Sequence, residues 1–74
     1  MLSLTAVEEA ADRVSTVARR TPLEYSHTFS ERTGAAIHLK LENFQRTGSF
    51  KIRGAINRIT TLSSTEQDAG VVTA

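Results

Sequence analysis

The chain has 74 residues, no cysteine, and nine Lys and Arg against eight Asp and Glu, for a formal net charge of +1. A disulfide framework and a Cys-based zinc site are excluded, and the charge balance gives no bias toward nucleic acid or an anionic membrane. Of its hydrophobic residues nine are alanine, so at most one domain with little core of its own is expected, the corner of something larger.

Met1 to Leu4 is apolar, but Glu8, Glu9, Asp12 and Arg13 interrupt any hydrophobic run. That pattern argues against a secretory signal and a transit peptide. No run approaches the roughly 20 apolar residues that span a bilayer. The expectation is a cytoplasmic chain with no membrane and no nucleic-acid partner.

Thr5 to Arg19 reads as a helix (5–19). Val7, Ala10, Ala11, Val14 and Val17 or Ala18 share one face at helical spacing. Thr5 and Glu8 have capping-box spacing. Glu8, Glu9 and Asp12 lie early and Arg19 and Arg20 late, an order that complements the helix dipole. Pro22 ends the segment and biases Thr21 toward extended backbone. Leu23 to Ser26 is a short extended piece. A second, short helix is expected over 26–33, with Ser26 as N-cap and Gly34 as the stop.

Ala36 to Glu42 alternates, Ile37, Leu39 and Leu41 against His38, Lys40 and Glu42, which is the period of a half-buried strand (36–42). Asn43 to Gly48 is a loop. Ser49 is the expected N-cap of a helix over 50–62, with Ile52, Ala55, Ile56 and Ile59 as its apolar stripe and Arg53, Asn57 and Arg58 pointing away. Residues 63–68 read as a polar connection. Gly70 to Ala74 reads as a second strand (70–74). Strand, helix, strand is a βαβ unit, so the fold class expected is α/β, with parallel strands and a right-handed crossover. Parallel sheets contain more strands than this, so the expected unit is incomplete.

The chemistry concentrates at the strand–loop–helix junction, Leu39 to Ala55. Loops at the carboxyl ends of parallel strands are where α/β folds bind ligands. Thr47-Gly48-Ser49 brings flexible backbone to a helix N-terminus. Lys51 sits in the first turn, where the positive end of the helix dipole favours a neutral, nucleophilic amine. Gly54, inside a helix, is read as a mark of close packing. Each feature also has a plain reading: a solvated surface lysine, a simple turn glycine and a close helix contact. There is no P-loop and no Gly-x-Gly-x-x-Gly. His27 and His38 are eleven residues apart with no third ligand type nearby, so no metal site is expected.

The wording of that junction is more specific than its spacing. Glu42, four residues, then Thr47-Gly48-Ser49-Phe50-Lys51-Ile52-Arg53-Gly54-Ala55 resembles the lysine-attachment signature of the serine/threonine dehydratase family. These are pyridoxal-phosphate (PLP) enzymes of fold type II, the tryptophan-synthase-β-like fold. Arg20-Thr21-Pro22-Leu23, Ser30-Glu31-Arg32 and the strand into Glu42 are also similar to the opening of threonine dehydratases. The resemblance covers essentially the whole chain and only the opening part of such an enzyme.

The resemblance implies pyridoxal 5'-phosphate as cofactor, held as a Schiff base on Lys51, with Phe50 beside its ring. Lys51 is thereby the candidate catalytic residue, and Lys51 and Phe50 the candidate cofactor-binding residues. Ile-Arg-Gly-Ala after Phe50-Lys51 resembles dehydratases and serine racemases more than threonine synthases, which usually carry Asp after this Lys. The implied reaction deaminates L-threonine to 2-oxobutanoate, or L-serine to pyruvate, with release of ammonia. Homo-oligomers are implied for full-length relatives. In them a Ser-x-Gly-Asn-His loop, a glycine-rich phosphate loop and a second domain follow the strand that ends here. The 74 residues alone are therefore expected to be inactive. The alternatives left open are a non-catalytic remnant, a small α/β module, and a piece of a serine racemase-like enzyme.

Overall fold

A computed structural model describes all 74 residues. The elements in chain order are α1 (Leu4–Ser15), β1 (Leu23–Tyr25), α2 (His27–Thr33), β2 (His38–Lys40), a 3-10 turn (Glu42–Phe44), α3 (Lys51–Ile59) and α4 (Ser64–Ala69).

Helix α1 starts earlier and ends sooner than the 5–19 expected. Its N-cap is Ser3, whose hydroxyl accepts from the Ala6 N–H at 3.1 Å. Thr5 lies inside the helix, so the expected Thr5–Glu8 capping box is not the cap. At the other end Ser15 Oγ donates to the Asp12 carbonyl and Thr16 Oγ1 to that of Arg13. Hydroxyls that bond the preceding turn compete with continued helix, and α1 stops there.

Helix α2 is closed at both ends by its own sequence. Ser26 Oγ accepts from Phe29 N–H at 3.2 Å, and Gly34 takes the left-handed conformation at φ 72°. That turn needs a residue without a Cβ penalty. It sends the chain back beside β1. Ser30, buried in α2, holds the return: its hydroxyl accepts from Ile37 N–H at 2.9 Å.

The sheet does not show the parallel pairing expected. It has two strands, and they are antiparallel, with Leu23 opposite Lys40, Glu24 opposite Leu39 and Tyr25 opposite His38. Flanking bonds from Leu41 N–H to Pro22 O and from Ser26 N–H to Ile37 O extend the ladder. Pro22 fits because only its carbonyl is used. Tyr25 and His38 rings meet edge to face at 5.4 Å between centroids. The chain is thus mixed α/β, but its pairing is a local return across α2. The partner expected for β2, residues 70–74, forms no strand. Gly70 leaves α4 at φ 83°, and Val72 beyond it is fully exposed at 100%. No sheet edge lies against that segment, so it gains no ladder bonds.

Helix α3 is shorter than 50–62, and its packed side differs from the predicted stripe. Arg53 and Asn57, expected to point away, are half-buried, whereas Ala55 and Ile59 are exposed. The reason is that both polar side chains have partners: Arg13 Nε donates to Asn57 Oδ1 at 2.8 Å across α1 and α3, and Arg53 pairs with Glu42. Gly54 corrects a second reading. A Cβ added there meets nothing within 4 Å, so no close contact requires glycine. Residues 63–68, read as a polar connection, hold α4. Ser63 and Glu66 form a reciprocal capping box, Ser63 Oγ accepting from Glu66 N–H and Glu66 Oε1 from Ser63 N–H.

The core is small. Val14, 8% exposed, is the one buried hydrophobic residue, and Thr21, Ser30 and Gln45 are the buried polar ones. No helix is long and apolar enough to cross a membrane.

Candidate cofactor-attachment site

The chain leaves β2 through the 3-10 turn at Glu42–Phe44 and enters a loop of six residues before Lys51. A backbone bond from Gly48 N–H to Gln45 O at 2.9 Å folds this loop. Gly48 itself sits at φ 74°, where a side chain would be strained. Ser49 is not the N-cap expected of it. That place is taken by Phe50, already helical at φ −73° and ψ −12°, and no side chain caps the helix. Ser49 Oγ lies 3.4 Å from Lys51 N, too long for a strong bond.

Lys51 is the first residue of α3, and it is exposed. Its Nζ makes no hydrogen bond and no ion pair within the chain. Phe50 beside it is 68% exposed. The contrast with Lys40, the other lysine of the sequence, is informative. Lys40 Nζ donates to the Thr21 carbonyl oxygen. Of two lysines, one amine is engaged and one is free.

Glu42 carries the electrostatics of the loop. Its side chain is 13% exposed, and Oε1 accepts from Arg53 Nε while Oε2 accepts from Gln45 Nε2 at 3.0 Å. Partial burial pushes its pKa up. The hydrogen bonds from Arg53 and Gln45, with the charges of Arg53 and Lys40, outweigh that and hold the carboxyl below the ordinary glutamate value.

Sequence reasoning singled out Lys51 and Phe50, and both lie on the outer surface of this junction. It missed Gln45, which is 4% exposed. The available signal was the spacing Glu42-x-x-Gln45, three residues apart on one tight turn, where side chains eclipse. A cavity of about 470 Å³ opens between α1 and β2, with Arg19, Arg20, Lys40 and Arg53 in its lining. Lys51 does not line it.

The chain matches the family described as "Pyridoxal-phosphate dependent enzyme" over residues 14–74. It belongs to that family. Relatives include an L-threonine ammonia-lyase of Thermotoga maritima, 51% identical over the whole chain, and one of Geobacter sulfurreducens, 50% identical over the whole chain. An L-threo-3-hydroxyaspartate ammonia-lyase of a Pseudomonas species is 47% identical over 89% of the chain. The chain spans 18% of the length of the first two relatives and 21% of the third. No solved structure matches it significantly.

Enzymes of this family depend on pyridoxal phosphate, and the residues present fit its attachment in one respect. An aldehyde needs a free, reachable amine, and Lys51 supplies one. Enclosure is a different matter, since both Lys51 and Phe50 face solvent and no cavity surrounds them.

Proposed function

We propose that this chain carries the cofactor-attachment segment of a PLP-dependent dehydratase acting on a β-hydroxy-α-amino acid, with L-threonine or L-serine as substrate. Lys51 is the residue that holds the cofactor, and Phe50 lies against its ring. The observation that carries this reading is the single free lysine amine, on the first residue of α3, within the Thr47–Ala55 wording. The names of the relatives support the substrate class: threonine and threo-3-hydroxyaspartate share an α-amine and a β-hydroxyl.

The bound cofactor supplies an electron sink for the charge left at the substrate's Cα. Lys51 Nζ, when free and neutral, takes the α-proton. The β-hydroxyl leaves as water, and a water then hydrolyses the resulting enamine, supplying the keto oxygen and releasing ammonia with 2-oxobutanoate from threonine or pyruvate from serine. In this reading a parallel fold type II sheet completes the site, with residues 70–74 joining it as a strand. The full enzyme is a cytoplasmic homo-oligomer.

The 74 residues alone bind the cofactor weakly and turn over no substrate, because Lys51 is not enclosed and no phosphate cradle adjoins it. The small core favours this non-catalytic reading of the isolated chain. The test is incubation of the purified chain with pyridoxal phosphate, reduction with borohydride and peptide mapping. The label is expected on Lys51 in excess over Lys40 and the α-amine, and to vanish from position 51 in Lys51→Arg, which keeps the charge but has no primary amine. Equal labelling of both lysines sinks the attachment role. Measurable deamination of L-threonine by the chain alone sinks the claim of inactivity.

A further inference from the structure

Gln45 is a buried amide with nothing left over. A carboxamide offers two N–H donors and two acceptor lone pairs, and all four are used. Oε1 accepts from Arg19 N–H at 2.7 Å and from Arg46 N–H at 3.1 Å. Nε2 donates to the Arg19 carbonyl at 2.8 Å and to Glu42 Oε2 at 3.0 Å. The amide thus pairs with the backbone of residue 19 on both its donor and acceptor sides, as a neighbouring strand would.

The same point gathers the exit of the loop. Glu42 accepts from Arg53 Nε, and a terminal nitrogen of Arg53 lies 3.3 Å from the Arg19 carbonyl. Arg53 N–H bonds the Phe50 carbonyl in the first turn of α3. Arg46 Nε reaches the Val17 carbonyl at 2.7 Å. Lys51 therefore stands between two fixed ends: Gln45 and Arg46 before it, Arg53 after it. Both ends are tied to the segment that joins α1 to β1.

We propose that Gln45 is a positioning residue for Lys51: its carboxamide clamps the lysine-bearing loop to the backbone at Arg19 and, through Glu42, to Arg53 two residues past the lysine. This rests on the reading of Lys51 as the attachment lysine, and the two can fail separately. Gln45 is buried, and its amide is bonded wholly within the chain. It acts by restricting where the first turn of α3 begins, and lost restriction at a reacting group lowers its effective concentration. The charged groups around the amide are Glu42, Arg53, Arg19 and Arg46.

Three chains decide it: the wild type, Gln45→Met and Gln45→Glu. Two measurements are made on each, amide hydrogen-exchange protection at Arg19 and Arg46, and the Lys51-to-Lys40 ratio of borohydride-trapped pyridoxal label. Methionine keeps the volume and loses all four bonds. It is expected to lower both protection and ratio by about tenfold, the scale of one net hydrogen bond to a charged group or two neutral ones. Glutamate at position 45 faces the Glu42 carboxylate and the Arg19 carbonyl. It is expected to lose protection at neutral pH, where the two carboxylates repel and the clamp opens, and to regain it as acid adds one proton to the pair and restores a donor between them. That recovery is a readout space-filling would not move, and it decides the matter if the methionine variant unfolds outright. Unprotected Arg19 and Arg46 amides in the wild type overturn the inference. So does wild-type behaviour of Gln45→Met, or a Gln45→Glu chain indifferent to pH. A wild-type label shared equally between the lysines, with both amides protected, instead overturns the attachment role and leaves the clamp standing.

Discussion

Thr21 shows what a single atom costs in so small a core. It is 5% exposed, and its Oγ1 has no hydrogen-bond partner. Its carbonyl is well used, accepting from Lys40 Nζ, but the hydroxyl was desolvated without return. Valine has the same shape without the donor. Thr21→Val is expected to raise stability by about 1 kcal/mol, the low end of what an unsatisfied buried polar group costs. Denaturant melts of the two chains measure it, and a loss of stability in the variant would mean that the hydroxyl finds a partner. Gln45 is the opposite case, a buried polar group whose every bond is made.

At the scale of elements, caps decide where helices lie. Ser63→Ala removes one half of the α4 capping box and is expected to cost α4 about 1 kcal/mol, seen as lost helical ellipticity and faster amide exchange at Glu66. The other half titrates. Glu66 is held below the ordinary glutamate value by the Ser63 backbone N–H first and its hydroxyl second. A lowered folded-state pKa means stabilisation that is full above the unfolded value and is lost as pH falls through the folded one. Glu42 follows the same sign. Helicity of α4 should therefore drop on acidification below the usual carboxylate range, and Glu66→Gln should flatten that response. The capping-box pattern was legible in the sequence, but at the wrong address: Thr5-x-x-Glu8 and Ser63-x-x-Glu66 both satisfy it, and only Ser63 caps. Helices with local stop signals, such as α2 between Ser26 and Gly34, were readable because every determinant lies within a few residues. The strand pairing was not. Whether β2 pairs with 23–25 or with 70–74 depends on which segment comes alongside, and alternation in Ile37, Leu39 and Leu41 is silent on that. The wording around Lys51 singles it out as a candidate; nothing comparable singles out Gln45, because its partners are backbone atoms 26 residues away at Arg19.

Across the whole molecule the radius of gyration is 16.0 Å, with extents of 51 × 26 × 22 Å. A compact globule of this length has a radius of roughly 11 Å. Leu2, Leu4, Tyr25, Phe29, Phe44, Phe50 and Val72 are all exposed. Such a chain should unfold gradually and bind a hydrophobic dye before any denaturant is added. A sharp, cooperative melt with no dye binding would contradict the small core described above. What holds α1, the central loop and α3 in register is chiefly polar: Arg13 to Asn57, Arg46 to Val17, and the Gln45 cluster at Arg19. In that cluster Gln45 reads position 19 through its peptide groups, not its side chain. Almost any amino acid that keeps its N–H can therefore stand at position 19 and still make the bonds to Gln45; the Arg19 side chain adds only a long contact to the Phe44 carbonyl at 3.5 Å. Substitutions would accumulate freely on one side of the contact while the other side stays constrained. The two positions would drift independently through time, and a comparison of residue identities would record no partnership between them.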